Sequence, residues 1–170
     1  MINLYGWSGQ ELYILPMALD ELDRRLVSLL TTEPRIGVLE ASRRLRVARG
    51  TVQARLDRLV QRGIIQDFAP SLDPAALGYV VTAFATIEIS QGAGRDDVAA
   101  HLAGILEVLE VHTITGQGDL LCRIVGRSNE DLQRVIDDLV ATPGIQRTST
   151  VIALASVVRY RVLPLVTHSG

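Results

Sequence analysis

The chain has 170 residues, 48% of them hydrophobic, with a formal net charge of -2. That balance supports a packed core in one domain or two small ones and excludes a disordered chain. No apolar run reaches the roughly 20 residues of a membrane helix, the lone Cys122 excludes an internal disulfide framework and points to a reducing cytoplasm, and His101, His112 and His168 show no zinc-ligand spacing.

The first residues, "MINLYGWSGQELYILP", carry no basic n-region and no small-residue cleavage site, so a secretory signal is a poor reading. Residues 1–18 are expected to form an extension. Either Trp7 and Tyr13 dock as an arm on a partner subunit, or Met17 is the true start.

From Asp20 to Thr31, "DELDRRLVSLLT" places Leu22, Leu26, Leu29 and Leu30 on one helical stripe, with Asp20 as N-cap and Glu21 and Asp23 at the positive end. Pro34 stops that helix. Val38 to Leu45 gives a short second helix, residues 46–48 a turn, and Val52, Leu56, Leu59 and Val60 a third helix closed by Gly63. "IIQDF" then suggests a wing, which completes a domain over residues 19–69, and residues 70–78 a linker with Pro70, Pro74 and Gly78.

The following residues, 79–160, alternate between the two periods. Strands are expected over Tyr79 to Ser90, Val108 to Thr115, Leu120 to Val125 and Ile145 to Tyr160, and helices over Asp96 to Leu106 and Asn129 to Ala141, the latter capped by Ser128. The order is βαββαβ, the ferredoxin-like pattern, with residues 161–170 as a tail. The chain is thus expected to be α+β, a winged helix-turn-helix followed by a ferredoxin-like domain.

Charge is unevenly placed. Arg35 to Arg62 holds eight Arg against Glu40 and Asp57, a local +6, whereas Ser71 to Gly170 holds seven Arg against eleven Asp and Glu, a local -4. There is no lysine, so every basic side chain is a planar fork suited to phosphate or guanine. The codon bias of a GC-rich genome accounts for the same absence. A basic second helix after a three-residue turn is a helix-turn-helix candidate for double-stranded DNA, against the plainer reading of a solvated charged face.

On a helical wheel of about 100° per residue, the side opposite the apolar stripe presents Gly50, Thr51, Ala54, Asp57, Arg58 and Gln61, with Gln53 and Arg55 on the flanks. Small Gly50 and Ala54 would let the helix approach a groove floor. Arg58, Thr51 and Gln53 would reach base edges. Arg43, Arg44, Arg49 and Arg55 would hold phosphates, and Arg46 in the turn joins this set. Asp57 on that face would repel phosphate unless it meets a cytosine amino group or pairs with Arg58 or Gln61.

In "ITGQGDLL", two readings stay open: a plain hairpin with glycines at turn positions, or a small-molecule site whose N–H groups approach a carboxylate while Asp119 accepts from an α-ammonium. His112 is expected to be packed on its strand and Cys122 to be a small core residue. No nucleophile–base pair, carboxylate pair or metal cluster stands at recognisable spacing, so no enzyme, metal or cofactor is expected.

Taken in order, "LDELDRRLVSLL", "RIGVLEASRRLRVARGTVQARLDRLVQRGIIQDFAPSLDPAALGY", "TGQGDLLCRIV" and "RTSTVIAL" resemble the Lrp/AsnC (leucine-responsive, feast/famine) family of transcriptional regulators, from about Leu19 to Tyr160. The resemblance implies a winged helix-turn-helix, a ligand-sensing βαββαβ domain, and homodimers paired through their sheets that often assemble into octamers. It also implies an amino-acid effector at Gly116, Gln117, Gly118 and Asp119, with Thr148, Ser149 and Thr150 nearby. A stand-alone amino-acid-sensing module that regulates a metabolic enzyme is the alternative.

The chain departs from the family pattern at the turn, where Arg46 and Ala48 stand in place of the usual glycine and capping serine, and at Gly118, where a bulkier residue is common. Ala48 offers no capping oxygen, so the first turn of the third helix is expected to be firmed by DNA or compensated by Thr51 and water.

Overall fold

The computed structural model describes residues 19–90 and 92–167. The extension with Trp7 and Tyr13, and His168, lie outside the described residues. The chain divides into two compact units: one runs to Ala69 and includes the chain again from Tyr160, and the other spans Pro70–Arg159.

In the first unit, α1 (Glu21–Thr32) starts where Asp20, with extended backbone, accepts the Asp23 N–H at 2.9 Å. α2 (Val38–Leu45) and α3 (Arg49–Gln61) close a core of Leu26, Ala41, Leu45, Val52 and Leu59, with Ile65 packed at its border. α2 ends on Arg46 at φ 58°, the left-handed conformation that a glycine adopts freely and a side chain adopts at a cost of about 1 kcal/mol. The Val47 N–H then reaches the Ser42 carbonyl at 3.1 Å, and satisfies an end of α2 that the turn would otherwise orphan. Ala48 is the N-cap of α3 and makes no side-chain cap.

The wing segment after α3 carries no strand among the described residues. The Ile64 and Ile65 N–H groups both turn back onto the Leu59 carbonyl, at 3.0 and 3.2 Å, and residues 66–70 join no strand. The Ile64 and Ile65 amides are spent on closing the helix, and among the described residues no strand edge pairs with the rest.

In the second unit, β1 (Val81–Ile89), α4 (Arg95–Ala103), β2 (Val108–Thr113), β3 (Leu120–Gly126), α5 (Asn129–Val140) and β4 (Ile145–Ala153) follow the expected order. The sheet runs β2-β3-β1-β4, antiparallel throughout, with β1 and β3 central. Alternation sends Ala83, Ala85 and Ile87 of β1, and Leu120, Cys122 and Ile124 of β3, to one face. There α4 contributes Val98 and Leu102, and α5 contributes Leu132, Val135 and Leu139. The other face carries Phe84, Thr86 and Glu88 of β1 and their β4 partners Val151, Ser149 and Arg147.

β4 stops at Ala153, well short of Tyr160, because Ala153 already faces Thr82 near the start of β1 and no partner strand remains. Leu154, Val157 and Tyr160 are exposed instead. His112 is exposed as well, against its expected packing: it pairs in register with Leu121, which puts it on the open face, 3.6 Å from Glu110. Cys122 is buried in the core, and burial pushes its thiol up to about 11. A short helix, α6 (Leu163–Thr167), lies against α1; five residues show too little of a helical period to register in sequence.

Candidate nucleic-acid interface and a polar pocket

The third helix is held from behind by carboxylates of the first. Asp23, 1% exposed, accepts from Arg55 Nη1 at 3.0 Å and from Arg58 Nη2 at 2.9 and 2.7 Å. Asp20 takes a further hydrogen bond from Arg55, which holds its carboxyl below the usual range. Two acids at i, i+3 on α1 therefore meet two arginines at i, i+3 on α3, and each pair lies on one side of its helix.

This corrects the expected roles of Arg55 and Arg58, whose guanidinium groups are committed within the fold. The physical cause is the orientation of α3. Its buried residues are Val52 and Leu59, while Val60, counted into the apolar stripe, is 42% exposed. Removing Val60 rotates the inward face toward Arg55 and brings Arg58 onto the flank beside α1. Asp20 and Asp23 read from sequence as cap and dipole residues only. The available signal was their match in spacing and charge to Arg55 and Arg58.

What α3 leaves open is a less charged face. Arg49, Gly50, Thr51, Gln53, Ala54, Asp57 and Gln61 are exposed. Gln53 Nε2 donates to Asp57 Oδ1 at 2.8 Å, so Asp57 is covered by Gln53 rather than by Arg58 or Gln61. Arg44 is tied to Glu33 at 3.0 Å and Glu40 at 3.2 Å, and Arg43 lies 3.5 Å from Glu40 with its side chain 69% exposed. Arg46 and Arg49 are exposed and form no ion pair among the described residues. Positive charge thus concentrates around the turn and the first residues of α3, where the uncapped N–H groups of the helix also favour an anion.

In the second unit, the glycine loop is pinned to the end of β1. The Asp119 N–H donates to the Ile87 carbonyl at 2.8 Å, and Asp119 Oδ2 accepts from the Ile89 N–H at 2.8 Å. Asp119 thus staples the loop to β1, with its other carboxylate oxygen 3.8 Å from Arg95. Gly116 and Gly118 have φ 105° and 97°, and a Cβ at Gly118 would stand 2.5 Å from Thr86 Cγ2. The hairpin reading of the glycines therefore holds, and it has a consequence: a bare backbone at 118 lets the loop press on β1 and sets Gln117 over the open sheet face.

There Thr86, Glu88, Gln117, Arg147 and Ser149 line a cavity of about 430 Å³. Of the expected set, Gln117 and Ser149 reach it. Thr148 and Thr150 do not: they face Ile87 and Ala85 in register, on the helix-covered side, because neighbours on a strand point to opposite faces. Glu88, Arg147 and Thr86 were missed, since only strand register brings them beside the loop. No group of three or more His, Cys, Asp or Glu among the described residues could hold a metal, and no described helix is long and apolar enough to cross a membrane.

Comparison with known proteins agrees with this two-part geometry. A family model of a winged helix-turn-helix DNA-binding domain matches residues 19–66, and one of the Lrp/AsnC ligand binding domain matches residues 82–163. The HTH-type transcriptional regulator FL11 of Pyrococcus horikoshii is 32% identical over 136 residues, 80% of this chain and 89% of the relative. The structure of E. coli AsnC superposes with a TM-score of 0.77 at 28% identity, over 87% of this chain and 100% of that one. A feast or famine regulatory protein from M. tuberculosis, complexed with L-methionine, gives 0.75 at 28% identity, over 85% and 97%.

Proposed function

The chain belongs to the Lrp/AsnC family of transcriptional regulators, and on that premise we propose that its DNA binding or assembly is modulated by a small effector, an amino acid. It is a DNA-binding regulator rather than an enzyme. In this reading Arg43, Arg46 and Arg49 hold phosphates around the turn, Arg44 stays paired with Glu33 and Glu40, and Thr51, Gln53 and Ala54 face base edges in the major groove. Arg55 and Arg58 hold the helix in place. The observation that carries the proposal is this division of α3 into a face locked to α1 and an exposed face of small and polar residues.

The open face of the sheet, with exposed Phe84 and Val151 at its middle, would pair two copies. A homodimer places two recognition helices about 34 Å apart, one turn of DNA, on a near-palindromic site in the cytoplasm; an octamer repeats the arrangement. An amino acid bound at the glycine loop alters DNA binding only by preferring one assembly state, with a coupling of about 1–3 kcal/mol. Binding of methionine by solved relatives supports the class of effector.

The test is capture of genomic DNA by the purified full chain, with and without each of the twenty standard amino acids. One recovered motif, enriched or depleted by one of them, is the expected result. Binding that ignores sequence and salt overturns the regulator reading, since phosphate contacts release counterions.

A further inference from the structure

We propose that Glu88 and Arg147, opposite one another on β1 and β4 beside Gln117, hold the ammonium and carboxylate of an α-amino acid whose own side chain is polar. The assignment rests on the effector reading above and deepens it, because it names the residues that would recognise the ligand and the kind of side chain accepted.

Register puts Glu88 directly across from Arg147, and Thr86 across from Ser149, on the open face. Directly opposed charges on neighbouring strands ordinarily attract. The same geometry one strand pair away does so: Glu110 and Arg123, opposed on β2 and β3, come within 3.7 Å. Glu88 and Arg147 instead have no ion pair or hydrogen bond among the described residues, and both line the cavity. A register shift between Glu88 and Ile89 interrupts the ladder at this point, and bulges re-aim the side chains beside them.

A fixed pair of opposite charges selects its ligand. An isolated carboxylate attracted by Arg147 is repelled by Glu88, and an isolated amine suffers the reverse. A molecule that carries both charges on adjacent atoms of one short backbone satisfies both. Asp119, the other acid of the loop, faces the Ile89 N–H and, at 3.8 Å, Arg95, and it does not line the cavity, so Glu88 is the acid left for the ammonium. The remaining lining groups, Thr86, Gln117 and Ser149, are hydroxyls and an amide. An aliphatic side chain placed against them would strip water without replacing its hydrogen bonds. A hydroxyl or amide side chain would replace them.

The experiment is calorimetric titration of the full chain with L-serine, L-threonine, L-asparagine and L-glutamine against L-leucine and L-methionine, with amide NMR of Gly116 and Gly118 as the marker of site. At least one of the four polar amino acids is expected to bind about tenfold or more tightly than leucine and methionine, and to shift both glycine amides. Glu88→Gln and Arg147→Gln should each weaken it about tenfold, the value of one charge-assisted contact. The charge-exchanged double variant, Glu88→Arg with Arg147→Glu, keeps an opposed pair on the strands and should recover most of the loss.

Single variants that bind as the natural chain does overturn the assignment and leave the effector reading standing. So does leucine or methionine binding as tightly as the polar set. If none of the twenty standard amino acids shifts the two glycine amides, both fall.

Discussion

Replacing Asp23 tests whether Arg58 belongs to the fold or to the DNA interface. Asp23 is 1% exposed and accepts three hydrogen bonds from two guanidinium groups. Removing one partner of a buried ion pair costs about 3–5 kcal/mol, because the surviving charge stays uncompensated. Here the side chains of Arg55 and Arg58 are 25% and 36% exposed, and Arg55 retains Asp20, so water and that second acid relieve part of the penalty. The cost of Asp23→Ala should therefore be about 2 kcal/mol, which in a unit of this size lowers the melting temperature by about 10 °C.

Arg58→Met should cost less alone, and its effect should largely vanish in the Asp23→Ala background, with a coupling of about 1–2 kcal/mol. The decisive measurement is the slope of log affinity for operator DNA against log salt. Arg49→Gln, at a residue proposed to hold a phosphate, should lower the slope by about 0.9 with little change in melting temperature. Arg58→Met should leave the slope unchanged. A fall of about 0.9 for Arg58→Met with no loss of stability would refute the reasoning and return Arg58 to the interface.

At the turn, Ala48→Ser should stabilise α3 by about 1 kcal/mol by supplying the missing cap, and Arg46→Gly should contribute a similar amount; thermal unfolding of both variants is the check. Amides of Arg49 and Gly50, unlike that of Thr51, which donates to the Ala48 carbonyl at 3.0 Å, should exchange fast in the free protein and slow on DNA, and exchange already slow without DNA would contradict this. Hydrogen bonding from Arg55 depresses the Asp20 carboxyl, so its contribution is present above the unfolded value of 3.8 and is lost as pH falls through the lower folded value. The melting-temperature gap between the natural chain and Asp20→Asn, which keeps the helix cap, should therefore be present at neutral pH and close in acid. The Cys122 thiol, pushed up to about 11, should resist alkylation near neutral pH until the second unit unfolds.

Much of the fold is legible in residue order because it rests on local periods. The stripe of Leu22, Leu26, Leu29 and Leu30, the caps Asp20 and Ser128, and the alternation around Ala83 and Cys122 each announce an element without reference to any other. The α2 boundaries are read directly, whereas Arg46 stands out only against the family's usual glycine, and its left-handed φ of 58° comes from the structure. What failed needed a neighbour. β4 ends at Ala153 because β1 has begun, and "IIQDF" forms no ladder because no edge among the described residues pairs with it; neither fact is written in the segment itself. The sites divide in the same way. Gln117 and Ser149 are found through a loop motif and its resemblance, whereas Thr148 and Thr150 are lost to a parity of one residue that only the register fixes.

The arginine count shows why charge alone misplaces an interface. Eight arginines between Arg35 and Arg62 suggest a uniformly basic surface. Four of them meet acids: Arg44, Arg55 and Arg58 are held by Glu33, Glu40, Asp20 and Asp23, Arg43 lies 3.5 Å from Glu40, and three of these four acids lie outside that stretch. A charge satisfied inside the fold adds little to the field felt by a duplex, because its partner cancels it within a few ångströms, less than the screening length of about 8–10 Å. On the proposed reading, the attraction for DNA rests chiefly on Arg46 and Arg49, where the turn meets α3, with the exposed Arg43 beside them. The remainder of the helix is left to polar and small side chains that read rather than attract. The proposed interface would lodge affinity and sequence discrimination in different residues, so substitutions at Arg49 should weaken all DNA alike, and those at Thr51 or Gln53 should redistribute preference among sites.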